Sequence, residues 1–447
     1  MDYKIRQNFF WIIFLLIIPT YIIGVGVTEI FVLILTIFFF LNLKNFNPIK
    51  DKIFLFLISF SIYLFLNSSF QLPFKHYDLL ISSIFHFRFV FFSFSIFFLL
   101  KFLIHSKNLT DKKYLNLIIM IYFFILLDSL VQFFLGQNLL GYQLFNNYRV
   151  SGIFGSELIL GSYLIKSLPF IIWLFFYTNL SISENKYFIV IFLSLYFIII
   201  FLSGERTSLA LLFMMIFLFF IFLKVIRKTI FISFVVFISF ICITSFIKIG
   251  KTEPHNRIFF KTFNQLTNQT FISDLNNKDF TLTDQSFFDK IKKNLVIFSK
   301  NHQGHYILGI SLFKDSPYFG TGAKGFRSYC RKSGYEPDIG VCTTHPHNIL
   351  IQLLAETGLV GLFYYLFSII FIFRSLIKSQ EKNIPSNDKN CFVVISVSIL
   401  INLFPFLPGG NFFNNWISVV NYFYVGLYLF YLERVFLPDK QILNNKT

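Results

Sequence analysis

A chain of 447 residues that is 55% hydrophobic and only 14% charged carries more apolar surface than a water-soluble fold can hide. This excludes disorder, a collagen repeat and a disulfide-framework domain, and it argues against an ordinary soluble enzyme. The net charge of +17 would suggest a nucleic-acid partner in a soluble protein, but here Lys and Arg stand mostly between apolar blocks, as topology signals do.

Twelve apolar segments are long enough to cross a bilayer: 9–25, 28–43, 53–68, 79–100, 114–135, 157–177, 187–203, 207–224, 229–248, 348–373, 391–407 and 414–433. Short alternating strands are absent, so the expected fold class is an all-α integral membrane protein rather than a barrel. The first segment has no small-residue cleavage site and is followed by further spans, so no removable signal peptide is expected. With the N-terminus in the cytoplasm, the inside loops collect most of the Lys and Arg, and the short outer loops hold only Lys75, Arg149 and Arg206. The expected layout is nine spans over 1–248, a large outer loop with short helices over 249–347, three spans over 348–433, and a cytoplasmic tail over 434–447.

No P-loop, dinucleotide fingerprint before a helix, HExxH or GxSxG is present, so the chemistry must lie in polar residues at the outer ends of spans. In chain order, Arg88 and Lys166 fall within spans and either snorkel or line a cavity. Arg149 precedes a glycine-containing stretch, Gly152 to Gly155, before the sixth span. Ser203-Gly204-Glu205-Arg206-Thr207 forms a tight outer turn, where Arg206 either grips phosphate oxygens or merely closes a hairpin by snorkelling. In the outer loop, residues 306–313 suit an amphipathic helix that Pro317 ends. The Gly-rich run 320–325 follows no parallel strand, and with Lys324 and Arg327 it suits an anionic ligand. Cys330 and Cys342 lie in the same loop and would pair in an oxidising compartment, with about 3 kcal/mol from loop closure. Cys242 and Cys391 lie in spans, and a zinc site lacks the matching His spacing. Finally, His345-Pro346-His347-Asn348 leads into the tenth span, with Asn348, Gln352 and Glu356 on one helical face. A neutral imidazole there suits a general base; the competing reading is a capping His above a stripe that glues helices.

Together these pieces resemble the O-antigen ligase / O-antigen polymerase family of bacterial envelope glycan assembly. The matching order is Arg-x-x-Gly-x-Phe-Gly at Arg149–Gly155, Ser-Gly-x-Arg-Thr at Ser203–Thr207, Pro-x-x-Gly-x-Gly at Pro317–Gly322, and His-Pro-His-Asn with Gln-x-x-x-Glu-x-Gly at His345–Gly358. The resemblance implies an inner-membrane glycosyltransferase that needs neither metal nor nucleotide cofactor, and whose outer loop is periplasmic. Its donor is a saccharide on undecaprenyl diphosphate. Ligases transfer the chain to a sugar of the lipid A core, and polymerases transfer it to another lipid-linked repeat unit, with a chain-length regulator as a possible partner. By motif position Arg206 and His347 take the catalytic roles. Arg149, Glu205, His305, Lys324, Arg327, His345, Asn348, Gln352 and Glu356 are the accompanying substrate-binding candidates. Family ligases often carry an Arg near a Trp upstream of the Pro-x-x-Gly-x-Gly segment. Here that region reads Asn301-His302-Gln303-Gly304-His305-Tyr306, with His305 in its place, which fits a polymerase-like branch better. The rival from another class is a transporter or flippase, which should depend on midplane residues such as Arg88 or Lys166 rather than on His347.

Overall fold

The structure is a computed structural model that describes residues 3–41, 43, 51–70, 77–105, 112–145, 149–177, 186–247, 250–251, 254–260, 262, 299–330 and 342–437. In chain order its helices are α1 (Tyr3–Leu16), α2 (Val25–Leu41), α3 (Lys52–Phe70), α4 (Tyr77–His105), α5 (Lys112–Leu135), α6 (Leu160–Tyr177), α7 (Lys186–Leu202), α8 (Arg206–Phe222) and α9 (Arg227–Phe246). They continue as α10 (Lys300–Asp315), α11 (Gly325–Cys330), α12 (Ile349–Glu381), α13 (Ser386–Asn402) and α14 (Asn415–Phe436). Extended structure among the described residues amounts to two isolated bridges, Gln137 with Gln143 and Phe145 with Arg149.

The twelve apolar segments fall on α1–α9 and α12–α14. Among the described residues, six stretches are long and apolar enough to cross a membrane: α3, α4, α5, α6, the Lys224–Phe246 stretch containing α9, and α12. α2, α7 and α8 are shorter apolar helices. Helix ends depart from the sequence expectation where local chemistry intervenes. Pro19 lacks an N–H donor, and the first apolar segment breaks into α1 and a 3₁₀ turn, Pro19–Ile22. α12 extends to Glu381 and is interrupted at Gly358, whose φ of 58° is left-handed.

Buried aromatic side chains dominate the core, including Trp173, Tyr122, Tyr163, Tyr196, Tyr424 and Tyr431. Their polar ends are hydrogen-bonded, as a low-dielectric interior requires: Tyr163 Oη donates to Tyr122 Oη at 3.1 Å, Trp173 Nε1 to Tyr431 Oη at 3.0 Å, and Tyr424 Oη to the Lys166 carbonyl at 2.6 Å. α14 packs along α4 and α13, and α6 packs on α13. Gly426 permits the α14–α4 approach, since a Cβ there would lie 2.5 Å from the Ser93 carbonyl oxygen. α10 lies against α12, where Gly309 faces Ile351. This packing carries the first turn of α10 to the N-terminal end of α12.

Candidate active site

One half of the site is the turn between α7 and α8. Gly204 supplies the φ of 66° that the turn needs. Arg149 reaches the turn from the segment before α6. Its Nε donates to the Ser203 carbonyl at 2.9 Å, its Nη2 donates to the Leu158 carbonyl at 3.0 Å, and Nη2 lies 3.6 Å from Glu205. Burial lowers its pKa to about 10, against the opposing pull of Glu205 and with a further push from Arg257. Glu205 was expected at the substrate, but its carboxylate is engaged internally. It accepts from the Gly161 and Ser162 amides at 2.8 and 2.9 Å, and from the Ser162 and Ser208 hydroxyls at 2.5 and 3.1 Å. A carboxylate at the start of α6 answers that helix's unpaired N–H groups and dipole. Arg206 opens α8 immediately after this clamp.

The other half precedes α12. The four histidines of the region converge: the ring of His347 lies 4.1 Å from His345, 5.4 Å from His305 and 5.6 Å from His302, centre to centre. His302 and His305 come from the first turns of α10, which Ser299 caps by accepting from the His302 amide. His345 is fixed by two contacts. Its Nε2 lies 3.2 Å from the Gly409 carbonyl, which can only accept, so the proton sits on Nε2 and Nδ1 takes the Thr344 hydroxyl at 2.9 Å. The Gly409 amide donates to the His347 carbonyl at 2.7 Å, and His347 holds a φ of 55°, uncommon for any residue with a Cβ. Burial, then His345, His302 and His305, push the His347 pKa down to about 3, with the Gly409 backbone opposing. His345 is pushed down to about 4, again first by burial. His302 is lowered by burial, His305 and Arg206. That last contribution ties the arginine turn to the histidine cluster. The starts of α10 and α12 therefore face each other through His302 and His347, and Arg206 at the start of α8 lies within electrostatic reach of His302. No group of three or more His, Cys, Asp and Glu with metal-holding geometry occurs among the described residues.

The expected substrate-facing stripe on α12 is instead buried and bonded within the protein. Asn348 caps α12 through the Ile351 amide and donates to the Pro405 carbonyl at 2.8 Å. Gln352 donates to Glu356 at 2.9 Å and to Asn411 at 2.7 Å, and accepts from the Phe412 amide at 2.9 Å. Glu356 accepts from the Phe326 amide at 3.1 Å. A polar side chain inside an apolar bundle is costly unless so partnered, and the stripe therefore serves to hold the α13–α14 connection and the outer loop on α12.

The Pro317–Gly322 segment likewise serves as scaffold. The break at Gly358 frees backbone groups of α12, and this segment occupies them: Thr321 and Gly322 amides donate to the Ala355 and Glu356 carbonyls at 2.9 Å, and the Leu359 amide donates to the Pro317 carbonyl at 2.9 Å. Lys324 is half-buried at the start of the α11 turn. It lines a cavity with Glu29, His86, Arg88 and Asn415, in which none of the four histidines takes part. Arg327 is exposed and lies within electrostatic reach of His345. Arg88 is held by Glu29 at 3.0 Å, and Lys166 donates to Asn402 at 3.5 Å. Cys330 and Cys342 form a disulfide.

Sequence reasoning missed three contributors. Arg257, in the segment after α9, donates from Nε to the Gly204 carbonyl at 2.9 Å. His302 stacks its edge toward His347. The connection between α13 and α14, with Pro405, Gly409 and Asn411, backs the His345–Asn348 segment. Its Pro-x-x-Pro-Gly-Gly-Asn run at 405–411 was the available signal for an ordered loop.

An apolar helical bundle with cationic and imidazole side chains gathered at one end defines a membrane protein with a polar site at one end of its helices. Residues 189–366, from α7 into α12, match the family model described as O-antigen ligase, which supports a likeness to that family over this segment. No curated protein matches the chain. The match, with the apolar helices, supports a membrane protein of glycan assembly.

Proposed function

We propose that the protein is an inner-membrane glycosyltransferase that moves a saccharide from undecaprenyl diphosphate to a sugar hydroxyl on the periplasmic side. Twelve helices, α1–α9 and α12–α14, span the bilayer, both termini lie in the cytoplasm, and the segment bearing α10 and α11 is periplasmic. The observation that carries this reading is the convergence of His302, His305 and His345 on His347 at the starts of α10 and α12, with Arg206 within electrostatic reach of His302. His347 accepts the proton of the acceptor hydroxyl. The acceptor oxygen bonds to the anomeric carbon, the bond from that carbon to the phosphate oxygen breaks, and its electron pair leaves with the diphosphate. Arginine charge and helix N-termini stabilise the leaving group without a metal or nucleotide. Direct displacement inverts the anomeric configuration, which comparison of donor and product linkages by NMR would check.

Of the two acceptors, we favour a second lipid-linked repeat unit over the lipid A core, because residues 301–306 bring His302 and His305 to the site in place of an arginine. A transporter fits less well: Arg88 and Lys166, its expected midplane residues, are bonded to Glu29 and Asn402. The test is the lipopolysaccharide gel profile of a deletion strain complemented with wild type or His347→Ala. Core bearing a single repeat means polymerase. Core without O chain, with long chains retained on the carrier lipid, means ligase. Full rescue by His347→Ala would remove the catalytic assignment.

A further inference from the structure

Three guanidiniums meet at the α7–α8 turn, and they do not have equivalent surroundings. Arg149 is 9% exposed, with two hydrogen bonds to backbone carbonyls and an ion pair to Glu205. Arg257 reaches the same turn from the segment after α9. A Cβ placed on Gly204 would lie 3.0 Å from Arg257 Cδ and 3.1 Å from Arg149 Cγ, so the bare glycine is the gap that lets both stems close on the turn. Through its Nε bond to the Gly204 carbonyl, Arg257 is oriented by the residue two positions before Arg206. It lies within electrostatic reach of both Arg149 and Arg206. Glu205 is clamped to α6 and paired with Arg149, and it also lies within electrostatic reach of Arg257, so one carboxylate faces several guanidiniums at this turn.

A diphosphate joined at both ends carries one negative charge on each phosphate. When the sugar departs, the bridging oxygen becomes terminal and gains the electron pair of the broken bond. One guanidinium neutralises one of the two charges, whereas two adjacent ones can each take a phosphate in a forked contact. We infer that Arg257, together with Arg206, contacts the diphosphate of the donor, and that Arg149 is a positioning residue that holds the turn in place. This rests on the donor proposed above.

The test uses the full-length protein in nanodiscs, with undecaprenyl diphosphate and undecaprenyl monophosphate as probes. Arg257→Gln should weaken diphosphate binding roughly ten- to hundredfold and monophosphate binding much less. Arg257→Lys keeps the charge but not the fork, and should fall between, with a reduced preference for diphosphate. Arg149→Gln should lower the thermal midpoint without a selective loss of diphosphate. Wild-type diphosphate binding in Arg257→Gln would overturn the role of Arg257 and leave the donor reading standing. Failure of the wild type to bind undecaprenyl diphosphate would overturn both. If Arg257→Gln does not fold, an unchanged diphosphate preference in Arg257→Lys overturns the inference.

Discussion

His347 combines a left-handed backbone, three neighbouring imidazoles and partial burial. Backbone strain of this kind costs roughly 1–3 kcal/mol and persists only where the surroundings enforce it, here through the Gly409 amide and the α12 cap. A base of that environment is neutral across the physiological range, and an arriving diphosphate would raise its proton affinity when it is needed. His347→Ala should reduce transfer from a lipid-linked donor by about 10²–10⁴-fold, measured as product formed by the purified protein. The same surroundings predict an acid sensitivity. The folded chain refuses protons that the unfolded chain accepts, because the His345 and His347 pKa values are lowered from 6.5 to about 4 and about 3. Stability is therefore full above pH 6.5 and is lost as pH falls from there through those values. A thermal midpoint that stays constant from pH 7 to 4 would contradict this.

At the scale of elements, the joint between α12 and the Pro317–Gly322 segment ties α3 and α12 together. Tyr63 Oη from α3 donates to the Phe319 and Thr357 carbonyls at 2.8 and 2.7 Å, and Asn67 Nδ2 donates to the Phe319 carbonyl at 2.7 Å. These bonds fix loop, broken helix and α3 to one another. A Cβ on Gly358 would collide with the Tyr318 backbone and would also need the left-handed conformation. Gly358→Ala should therefore destabilise the protein by at least about 1–3 kcal/mol, read as a lower thermal midpoint in detergent. Asn67→Ala should cost about 1 kcal/mol by loss of its hydrogen bond. An equal midpoint for Gly358→Ala would mean that the joint yields without cost.

For the whole molecule, the separation of charge along the helices predicts the orientation. In a background with Cys242→Ser and Cys391→Ser, Ser316→Cys beyond α10 should react with a membrane-impermeant thiol reagent on intact spheroplasts. Lys378→Cys near the end of α12 should react only after the membrane is opened. The reverse pattern would invert the proposed topology. The disulfide is a further marker, since Cys330 and Cys342 are joined near α11 and such a bond persists in an oxidising compartment.

Helix existence and approximate position were legible because twenty-residue apolar runs and the basic bias of their loops are local properties of the chain. The turn at Gly204–Arg206 and the His345–Asn348 start of α12 were legible for the same reason, as short polar strings at helix ends. Side-chain direction was not. The spacing of Asn348, Gln352 and Glu356 shows that they share a face, but only the packing of α11 and the 405–412 segment decides that this face is interior. Arg257 stands alone in sequence, and its place beside Arg149 depends on how the segment after α9 folds back over the α7–α8 turn. Likewise His302 and His347 are separated by 45 positions and meet because α10 lies along α12. Hydrophobicity acts without direction and sets the helices, whereas hydrogen bonds and charge pairs between distant segments need the tertiary arrangement before they exist at all.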